Sequence, residues 1–365
     1  MVNCMEKKLS WCLFTVFTLF WLMIFSSTVY ADKGIIPILP GVSVYEPGQK
    51  AIIAWNGEEE VLILSTDVFS NGETLVIELL PLPSEPKVEL ASFDSFRKIQ
   101  SLIWKENMKL SLAIEGGDHT PQTDVEIIFH EKLGAHNITV VRAENYIELV
   151  NWIENFLQAN DVNESFSLGD FEQVIEDYIS KGFHYYVLDL ITVNSEEKSV
   201  NPILYRFKSG FLYYPLVITS PLQSETNITL FLLTNGAIVS DCYPMEKATY
   251  RIGNMMESID FPVQKEDLYK IDIRIGELFD EGAWLTVLKY EGNVKWLKQD
   301  LIIAESSLAA ESEDTESLSI EVVLPPAFIG LFILLGLACG LVGMTCGVLL
   351  TRSQKESKKS IDINC

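Results

Sequence analysis

Cysteines that could form disulfides are scarce in the polar part of this 365-residue chain. Five of the six lie in or beside two long apolar runs, or at the end of the chain: Cys4, Cys12, Cys339, Cys346 and Cys365. Only Cys242 remains, and a single cysteine cannot form an intramolecular disulfide. This excludes a small module stabilised by disulfides, so we expect the domain to be stabilised by its apolar core.

Basic residues are also few, with 27 Lys and Arg against 51 Asp and Glu and a net charge of −24. Such a chain repels phosphate backbones, which argues against a nucleic-acid partner. Between residues 32 and 326 the balance is 21 basic against 48 acidic side chains. This composition is typical of a solvated exterior domain, and a saline habitat or loose cation binding would produce it equally well.

Recognisable catalytic motifs are absent. The sequence has no G-x-S-x-G, P-loop or G-x-G-x-x-G pattern. The S-x-x-K spacings at Ser95 and Ser195 lack the companion motifs of serine acyl transferases. Cys242 has no local signature of a nucleophile and is interpreted as a buried apolar residue.

Histidines are few as well, and none has the spacing of a zinc motif such as H-E-x-x-H. The four are His119, His130, His136 and His184. We therefore predict no catalytic, cofactor-binding or metal-binding residue, and no cofactor.

Two long apolar runs are present, and the first predicts a signal peptide at residues 1–31. Lys7 and Lys8 precede an apolar run over residues 9–25. Val29 and Ala31 place small residues at the −3 and −1 positions of a cleavage point after Ala31. An uncleaved signal anchor is the alternative, because the apolar run is long.

The second run, residues 327–350, has 24 residues and no charge. At 1.5 Å per residue it spans about 36 Å, enough for a bilayer core of about 30 Å. The tail at 351–365 is basic, which marks the cytoplasmic side. The sequence thus predicts a single-pass protein of the cell membrane, with its N-terminal domain outside and its C-terminus in the cytoplasm, and membrane lipid as one partner.

Glycines recur within this second run at steps of 4, 3 and 4: Gly336, Gly340, Gly343 and Gly347. On a helix these residues share one stripe, where a second helix backbone can approach closely. The stripe predicts that this helix associates with a second copy of the same chain or with another membrane protein. The glycine spacing is equally compatible with both partners.

Residues 32–308 read as one α+β domain with mixed or antiparallel sheets and a few helices, with a possible subdomain junction near 193–202. Strands are predicted over 41–55, 61–65, 74–80, 125–141, 183–193, 203–207, 214–219, 228–234 and 284–290. Helical spacing predicts helices over 93–109, 146–157 and 171–179, with Asp170 as an N-cap and Gly182 just past the third helix. Residues 309–326 read as an acidic juxtamembrane linker, in which Glu311, Glu313, Asp314 and Glu316 are expected to be solvated.

Several of these segments resemble a prokaryotic family known as domain of unknown function 2330. The similar segments are 51–55, 77–83, 93–103, 133–134, 138–141, 149–157, 178–182, 185–187, 202–203 and 214–218. They are strand ends, turns and helices, and they cover most of the exterior domain. The resemblance implies an exported or membrane-anchored domain and transfers no catalytic residue, since the family has no assigned activity.

Three sequons begin at Asn137, Asn163 and Asn227 and are possible glycosylation sites on the exterior side. Asn163 is the best placed, in a loop between helices, whereas Asn137 and Asn227 open strands and are expected to be inaccessible.

These features together predict a membrane-anchored cell-surface protein that acts as a binding or assembly domain, with a soluble partner that the sequence does not identify. The alternative is an extracytoplasmic hydrolase or transferase whose site is assembled from residues distant in sequence.

Overall fold

Strands dominate the computed structural model, which describes residues 34–38, 42–115, 122–123, 131–132, 136–160, 162, 168–222, 224–252 and 255–309. The described residues all belong to one unit, which ends at residue 310. They form a mostly sheet α+β fold with few helices, which confirms the predicted fold class at that level.

Nineteen strands are described, and several are only two residues long. They are β1 Gly34–Pro37, β2 Val44–Trp55, β3 Glu59–Ser70, β4 Thr74–Leu82, β5 Lys87–Leu90, β6 Gln122–Thr123, β7 Glu131–Lys132, β8 Ile138–Arg142, β9 Tyr185–Val193, β10 Lys198–Ser199, β11 Ile203–Lys208, β12 Leu212–Tyr214, β13 Glu225–Thr234, β14 Glu246–Lys247, β15 Thr249–Ile252, β16 Met255–Ser258, β17 Asp260–Gln264, β18 Gly282–Asn293 and β19 Leu301–Ile303. The described helices are α1 Phe93–Glu115, α2 Tyr146–Ala159, α3 Phe171–Ser180, α4 Lys265–Ile271 and α5 Ile273–Gly276.

Four long strands in the order β18–β13–β2–β3 form the centre of a ten-stranded sheet, the large sheet. β13 runs parallel to β2, with Asn227 opposite Gly48 and Thr234 opposite Trp55. The β2–β3 and β13–β18 pairs are antiparallel. The centre of the large sheet is therefore two long antiparallel pairs joined by one parallel contact.

Both faces of these central strands are buried. Along β2, Ala51, Ile53 and Trp55 belong to one apolar cluster, and Ile52 and Ala54 belong to another. Successive residues of a strand point to opposite faces, so the clusters lie on opposite sides of the large sheet. This explains why the strands read in the sequence as nearly continuous apolar runs.

The first apolar cluster joins the large sheet to the small sheet, which has the strand order β1–β4–β9–β8. It also contains the buried side chains of α2 and α3: Leu149, Ile153, Leu157, Phe171, Ile175 and Tyr178. The second apolar cluster contains Phe96, Ile99 and Ile103 of α1 together with Leu268 and Ile271 of α4. Helices therefore contribute to the core on both sides of the large sheet.

The chain passes from the small sheet to the large sheet between Val193, the end of β9, and Lys198, the start of β10. This is the segment where a subdomain junction was predicted. Residues of both sheets pack in the first apolar cluster, among them Leu188 of β9 and Tyr205 of β11. The two sheets therefore share one core.

Gly182 ends α3 as predicted. Its φ is +89°, a left-handed conformation that glycine adopts without steric cost. Its N–H donates to the carbonyl of Ile179 at 3.0 Å, and the N–H of Phe183 donates to the carbonyl of Tyr178 at 3.0 Å. The rings of Tyr178 and Phe183 then pack edge to face with centroids 5.6 Å apart. This is a Schellman cap with its apolar contact.

Two local predictions need correction. Asp170 is the N-cap residue of α3, as predicted, but its side chain makes no capping hydrogen bond, because the residue is itself helical, with φ −68° and ψ −12°. The strand predicted over 214–219 ends at Tyr214, and Val217–Thr219 form a 3₁₀ turn. Pro215 has no N–H to extend the pairing, and the N–H of Val217 donates to Asp300 at 2.8 Å instead.

Within the described residues, no helix has both the length and the apolar character needed to cross a bilayer. The predicted signal peptide, the 327–350 segment with its four glycines, the cytoplasmic tail and nearly all of the 309–326 linker lie outside the described residues. Those predictions stay predictions.

Candidate binding cleft

A cleft of about 530 Å³ opens at the edge of the large sheet, beside the last residues of β18. It is lined by Glu225, Pro244, Glu246, Lys289, Tyr290, Glu291 and Gly292. These residues come from β13, β14, β18 and the segment before β14.

Strand register brings these residues together. Lys289 of β18 lies opposite Glu246 of β14. Glu291 lies opposite Asn227 on the other neighbour, two residues along β13 from Glu225. The backbone positions of the three glutamates are therefore fixed by main-chain pairing and do not depend on flexible loops.

Gly292 gives Tyr290 room at the floor of the cleft. A Cβ atom at position 292 would lie 3.1 Å from the Tyr290 hydroxyl oxygen, so a larger residue would displace the ring. The hydroxyl donates to the carbonyl of Asn293 at 2.8 Å. Burial, with smaller contributions from Tyr243 and Glu225, raises the pKa of Tyr290, which keeps the hydroxyl a donor at neutral pH.

Two exposed aromatic rings lie on the segments that border the cleft. Tyr243, immediately before cleft residue Pro244, is 65% exposed, and Trp296, shortly after β18, is 62% exposed. Gln299 donates to the carbonyl of Tyr243 at 2.7 Å, and the N–H of Val294 donates to the carbonyl of Ser224 at 2.9 Å. The first hydrogen bond joins the Tyr243 segment to the segment after β18, and the second joins the residue after β18 to the residue before β13.

The electrostatic balance of the cleft is acidic, with three glutamates and one lysine among its lining residues. The arrangement is suited to a cationic group, which the carboxylates would attract and Tyr290 would border. The described residues contain no group of three His, Cys, Asp or Glu that converges as metal ligands would.

Of the four histidines considered in the sequence, His136 occupies the most organised site. Its Nδ1 is hydrogen-bonded to Asp189, and Asp189 also accepts the N–H of Asn137 at 3.0 Å. Its Nε2 is buried and has no hydrogen-bond partner. Nδ1 of His184 lies 3.1 Å from the carbonyl oxygen of Ala143. His119 and His130 lie outside the described residues.

Cys242 is buried close to the cleft but does not line it. Its Sγ lies 3.8 Å from the carbonyl oxygen of Ser240. Burial raises the pKa of the thiol, Lys247 opposes this shift, and Asp241 and Asp260 add to it. The group is therefore a protonated thiol at neutral pH, which is a poor nucleophile.

Neither S-x-x-K match forms a serine–lysine pair. Ser95 is buried in the first turn of α1 while Lys98 is exposed. Lys198 instead lies 3.4 Å from Glu196.

Asn137 and Asn227 are both exposed, which differs from the expectation that they would be inaccessible. Each lies at or near the start of a strand, where the side chain still projects from the sheet. The Asn137 side-chain amide donates to Asn160 at 2.9 Å. Asn163 and the acidic residues at 311, 313, 314 and 316 lie outside the described residues.

The cleft itself was missed in the sequence. Glu225, Glu246 and Glu291 are widely separated along the chain and are brought together only by strand register. The main local signal is the sequence Lys289-Tyr290-Glu291-Gly292, which resembles many solvated strand ends.

A comparison with known protein families finds no match, and a comparison with curated proteins finds none either. Two solved structures are similar in fold. Baculovirus P35 has a TM-score of 0.40 and 8% identity, over 74% of this chain and 99% of that chain. A mutated baculovirus P35 after caspase cleavage has a TM-score of 0.35 and 7% identity, over 70% of this chain and 99% of that one. At these scores the likeness carries no inference about function.

Proposed function

We propose that this protein is a binding domain displayed on the outside of the cell membrane, anchored by residues 327–350, and that its cleft binds a cationic segment of a peptide or protein. The observation that carries the proposal is the cleft of about 530 Å³, lined by three glutamates whose places are set by strand pairing.

The chemistry of the cleft supports a basic side chain as ligand. A lysine or arginine carries a charge at the end of an apolar stem, and the cleft offers carboxylates beside the Tyr290 ring. Exposed Tyr243 on the bordering segment suits the face of a guanidinium group, whereas the Trp296 ring already has the Lys295 ammonium 5.1 Å from its centroid. The acidic composition of the whole domain would also speed the encounter with such a ligand.

A hydrolase or transferase is the alternative function, and the His136–Asp189 pair is the observation that favours it. An imidazole oriented by a carboxylate is the general-base half of a nucleophilic site. Among the described residues, neither Cys242 nor Ser95 makes a hydrogen bond with His136. The binding proposal needs no further group and is therefore preferred.

Binding is tested with the full-length chain in zwitterionic nanodiscs and a capped tri-arginine peptide, using isothermal titration calorimetry. We expect the simultaneous changes Glu225→Gln, Glu246→Gln and Glu291→Gln to weaken binding about tenfold or more, because each removes a charge at the ligand. The matched control changes Glu154, Glu176 and Glu257 to glutamine, which removes the same charge from exposed positions elsewhere.

Equal weakening in both triple variants would show that only the net charge of the domain attracts the peptide, and this would contradict a site in the cleft. Binding of capped tri-glutamate with similar affinity would contradict the ligand class. Turnover of a model ester by the wild type, lost in His136→Gln, would favour the enzyme instead.

A further inference from the structure

The exposed side of α1 is basic and partly apolar, in a domain that is acidic as a whole. α1 carries four basic and three acidic residues, whereas residues 32–326 carry 21 basic and 48 acidic ones. The other side of the helix is buried in the second apolar cluster. Trp104 is 53% exposed and Leu112 is 61% exposed. The exposed side of α1 therefore combines positive charge with apolar groups, as protein interfaces do.

Two lysines stand at the centre of this exposed side. Lys98 and Lys105 are both exposed, and neither forms an ion pair within the part of the chain that the structure describes. The other two basic residues of α1 form ion pairs inside the helix, with Asp94 and Glu106. Seven residues make nearly two full turns, so both lysines leave the same side of the helix, about 10 Å apart along its axis. One further step of seven reaches Leu112, and we call these three residues the α1 stripe.

The three cleft glutamates lie on one face of the large sheet, and all are exposed. Glu246 lies directly opposite Lys289, and Glu225 lies directly opposite Asn293. Lys289, Glu291 and Asn293 alternate along β18 and therefore point to one face, which directly opposite residues share. The glutamates thus form a diagonal row across β14, β18 and β13, the glutamate row.

The spacing and charge of the glutamate row match those of the α1 stripe. Each step along the row crosses one strand and two residues, so neighbouring Cα atoms are about 8 Å apart and the row is about 16 Å long. The long stems of lysine and glutamate cover the difference from the lysine spacing of about 10 Å. With Lys289 beside it, the row carries a net charge of −2, and the α1 stripe carries +2.

We propose that the cleft of one copy of this chain binds the α1 stripe of a second copy. The inference rests on the proposed function and names α1 as the cationic segment that the cleft takes. Within the described residues, no ion pair joins α1 to a cleft glutamate of the same chain. The two surfaces differ, so each copy can bind two neighbours, and the contact builds chains or rings.

The acidic composition of the domain opposes this contact at long range, and salt decides the balance. At about 0.15 M ionic strength the Debye length is about 8 Å, so repulsion between the distant parts of two copies is largely screened. The charges of the α1 stripe and the glutamate row lie much closer together in the contact and keep their attraction. We therefore expect association at physiological ionic strength and weaker association at about 1 M salt.

The test uses the full-length chain at one copy per zwitterionic nanodisc. Each span is then held in its own disc, so only exterior domains can meet. In about 0.15 M NaCl, the sedimentation coefficient of the wild type should rise between about 1 and 100 µM, the range of modest interfaces. Capped tri-arginine should reverse the rise, because it occupies the same cleft.

Two variants each remove one side of the contact. The α1 variant combines Lys98→Gln with Lys105→Gln, and the cleft variant combines Glu225→Gln, Glu246→Gln and Glu291→Gln. Each variant alone should associate at least about tenfold more weakly than the wild type, because it lacks one of the two complementary surfaces. An equimolar mixture should regain pairing but stop at two copies, since only one intact contact is available to each pair.

The matched control combines Lys181→Gln with Lys208→Gln, which removes the same charge from exposed positions outside α1. It should associate as the wild type does. If the control weakens as much as the α1 variant, net charge alone governs association and the proposal is wrong.

A wild type that stays single at every concentration would overturn the inference, while tri-arginine binding in the cleft would still support the proposed function. Failure of the mixture to pair would also overturn it, because the contact would then not join α1 to the cleft. Binding to vesicles with about 30% phosphatidylserine, lost in the α1 variant while the wild type stays single, would assign the α1 stripe to a lipid surface instead.

Discussion

The carboxyl group of Glu60 lies wholly inside the domain. One oxygen accepts the N–H of Tyr213 at 2.7 Å, and the other is buried with no hydrogen-bond partner. Burial raises the pKa of Glu60 well above its ordinary value of 4.5, against a smaller opposing effect of the Tyr213 hydrogen bond. The native protein therefore holds this proton over a range in which the unfolded chain has lost it.

The sign of the resulting pH dependence follows from linkage. The native state binds more protons than the unfolded state above pH 4.5, so stability falls as pH rises through the native pKa. Asp300, whose pKa burial also raises, adds a slope of the same sign. Glu60→Gln keeps the acceptor for Tyr213 and removes only the Glu60 contribution.

We expect Glu60→Gln to be more stable than the wild type at pH 7 by about 1–3 kcal/mol, with no gain at pH 4. Urea unfolding at both pH values measures this. Glu154→Gln, an exposed position, is the control and should shift neither curve. An equal change at both pH values would mean that Glu60 acts through packing and not through its proton.

Cys242 gives a second prediction at this scale. In a variant with the other five cysteines changed to serine, the buried thiol should react with a disulfide reagent at least about tenfold faster in urea than in buffer. Val239→Cys, introduced with Cys242→Ser, is the reference, because position 239 is 68% exposed and three residues away. Native labelling of Cys242 as fast as that reference would point to an activated cysteine.

The α3 cap carries a prediction at the scale of the element. Gly182→Ala should destabilise the domain by about 1 kcal/mol, because a φ of +89° is unfavourable for a residue with a Cβ. Gly210→Ala is the control, since open space surrounds that glycine and its φ is outside the left-handed range. Urea midpoints measure both, and an equal loss in the two variants would contradict the role of the cap.

The glycine stripe in residues 327–350 is tested as an isolated segment in a membrane two-hybrid assay. Gly340→Ile and Gly343→Ile should reduce self-association strongly, because added side-chain bulk separates the two backbones. Leu341→Ile, off the stripe, should have little effect. A wild-type segment without self-association would exclude homodimerisation through this face.

Elements whose signal is local were predictable from the sequence. The apolar faces of α2 and α3 and the long strands β2, β4, β9, β13 and β18 follow from side-chain periodicity and apolar runs. The strand predicted through Pro215 failed because a distant carboxylate, Asp300, accepts the Val217 N–H. Two-residue strands such as β10 and β14 exist only through pairing with longer strands and have no signal of their own.

At the scale of the whole molecule, the cleft was beyond prediction. It is assembled from strands far apart in the chain, and one sequence does not specify which strands pair. The positions of Glu225, Glu246 and Glu291 follow from the partners of β18.

The predicted topology is tested on intact cells that express the chain with a tag after Cys365. Protease added outside should digest residues 34–309 and spare the tag, because the basic tail favours the cytoplasmic side. A tag inserted after Ala31 serves as the exterior control. Digestion of the C-terminal tag, or protection of the N-terminal domain, would reverse the predicted orientation.

The single parallel contact between β2 and β13 has a consequence for the order of assembly. The β2–β3 pair is complete once residue 70 is available, yet its free edge is covered only when residues 227–234 align beside residues 48–55. Until then the nascent chain presents an open, apolar strand edge, the kind of surface that pairs with other chains. A polypeptide that ends before residue 225 should therefore aggregate. Rapid synthesis or export of the later part of the chain shortens the time for which the β2 edge is exposed.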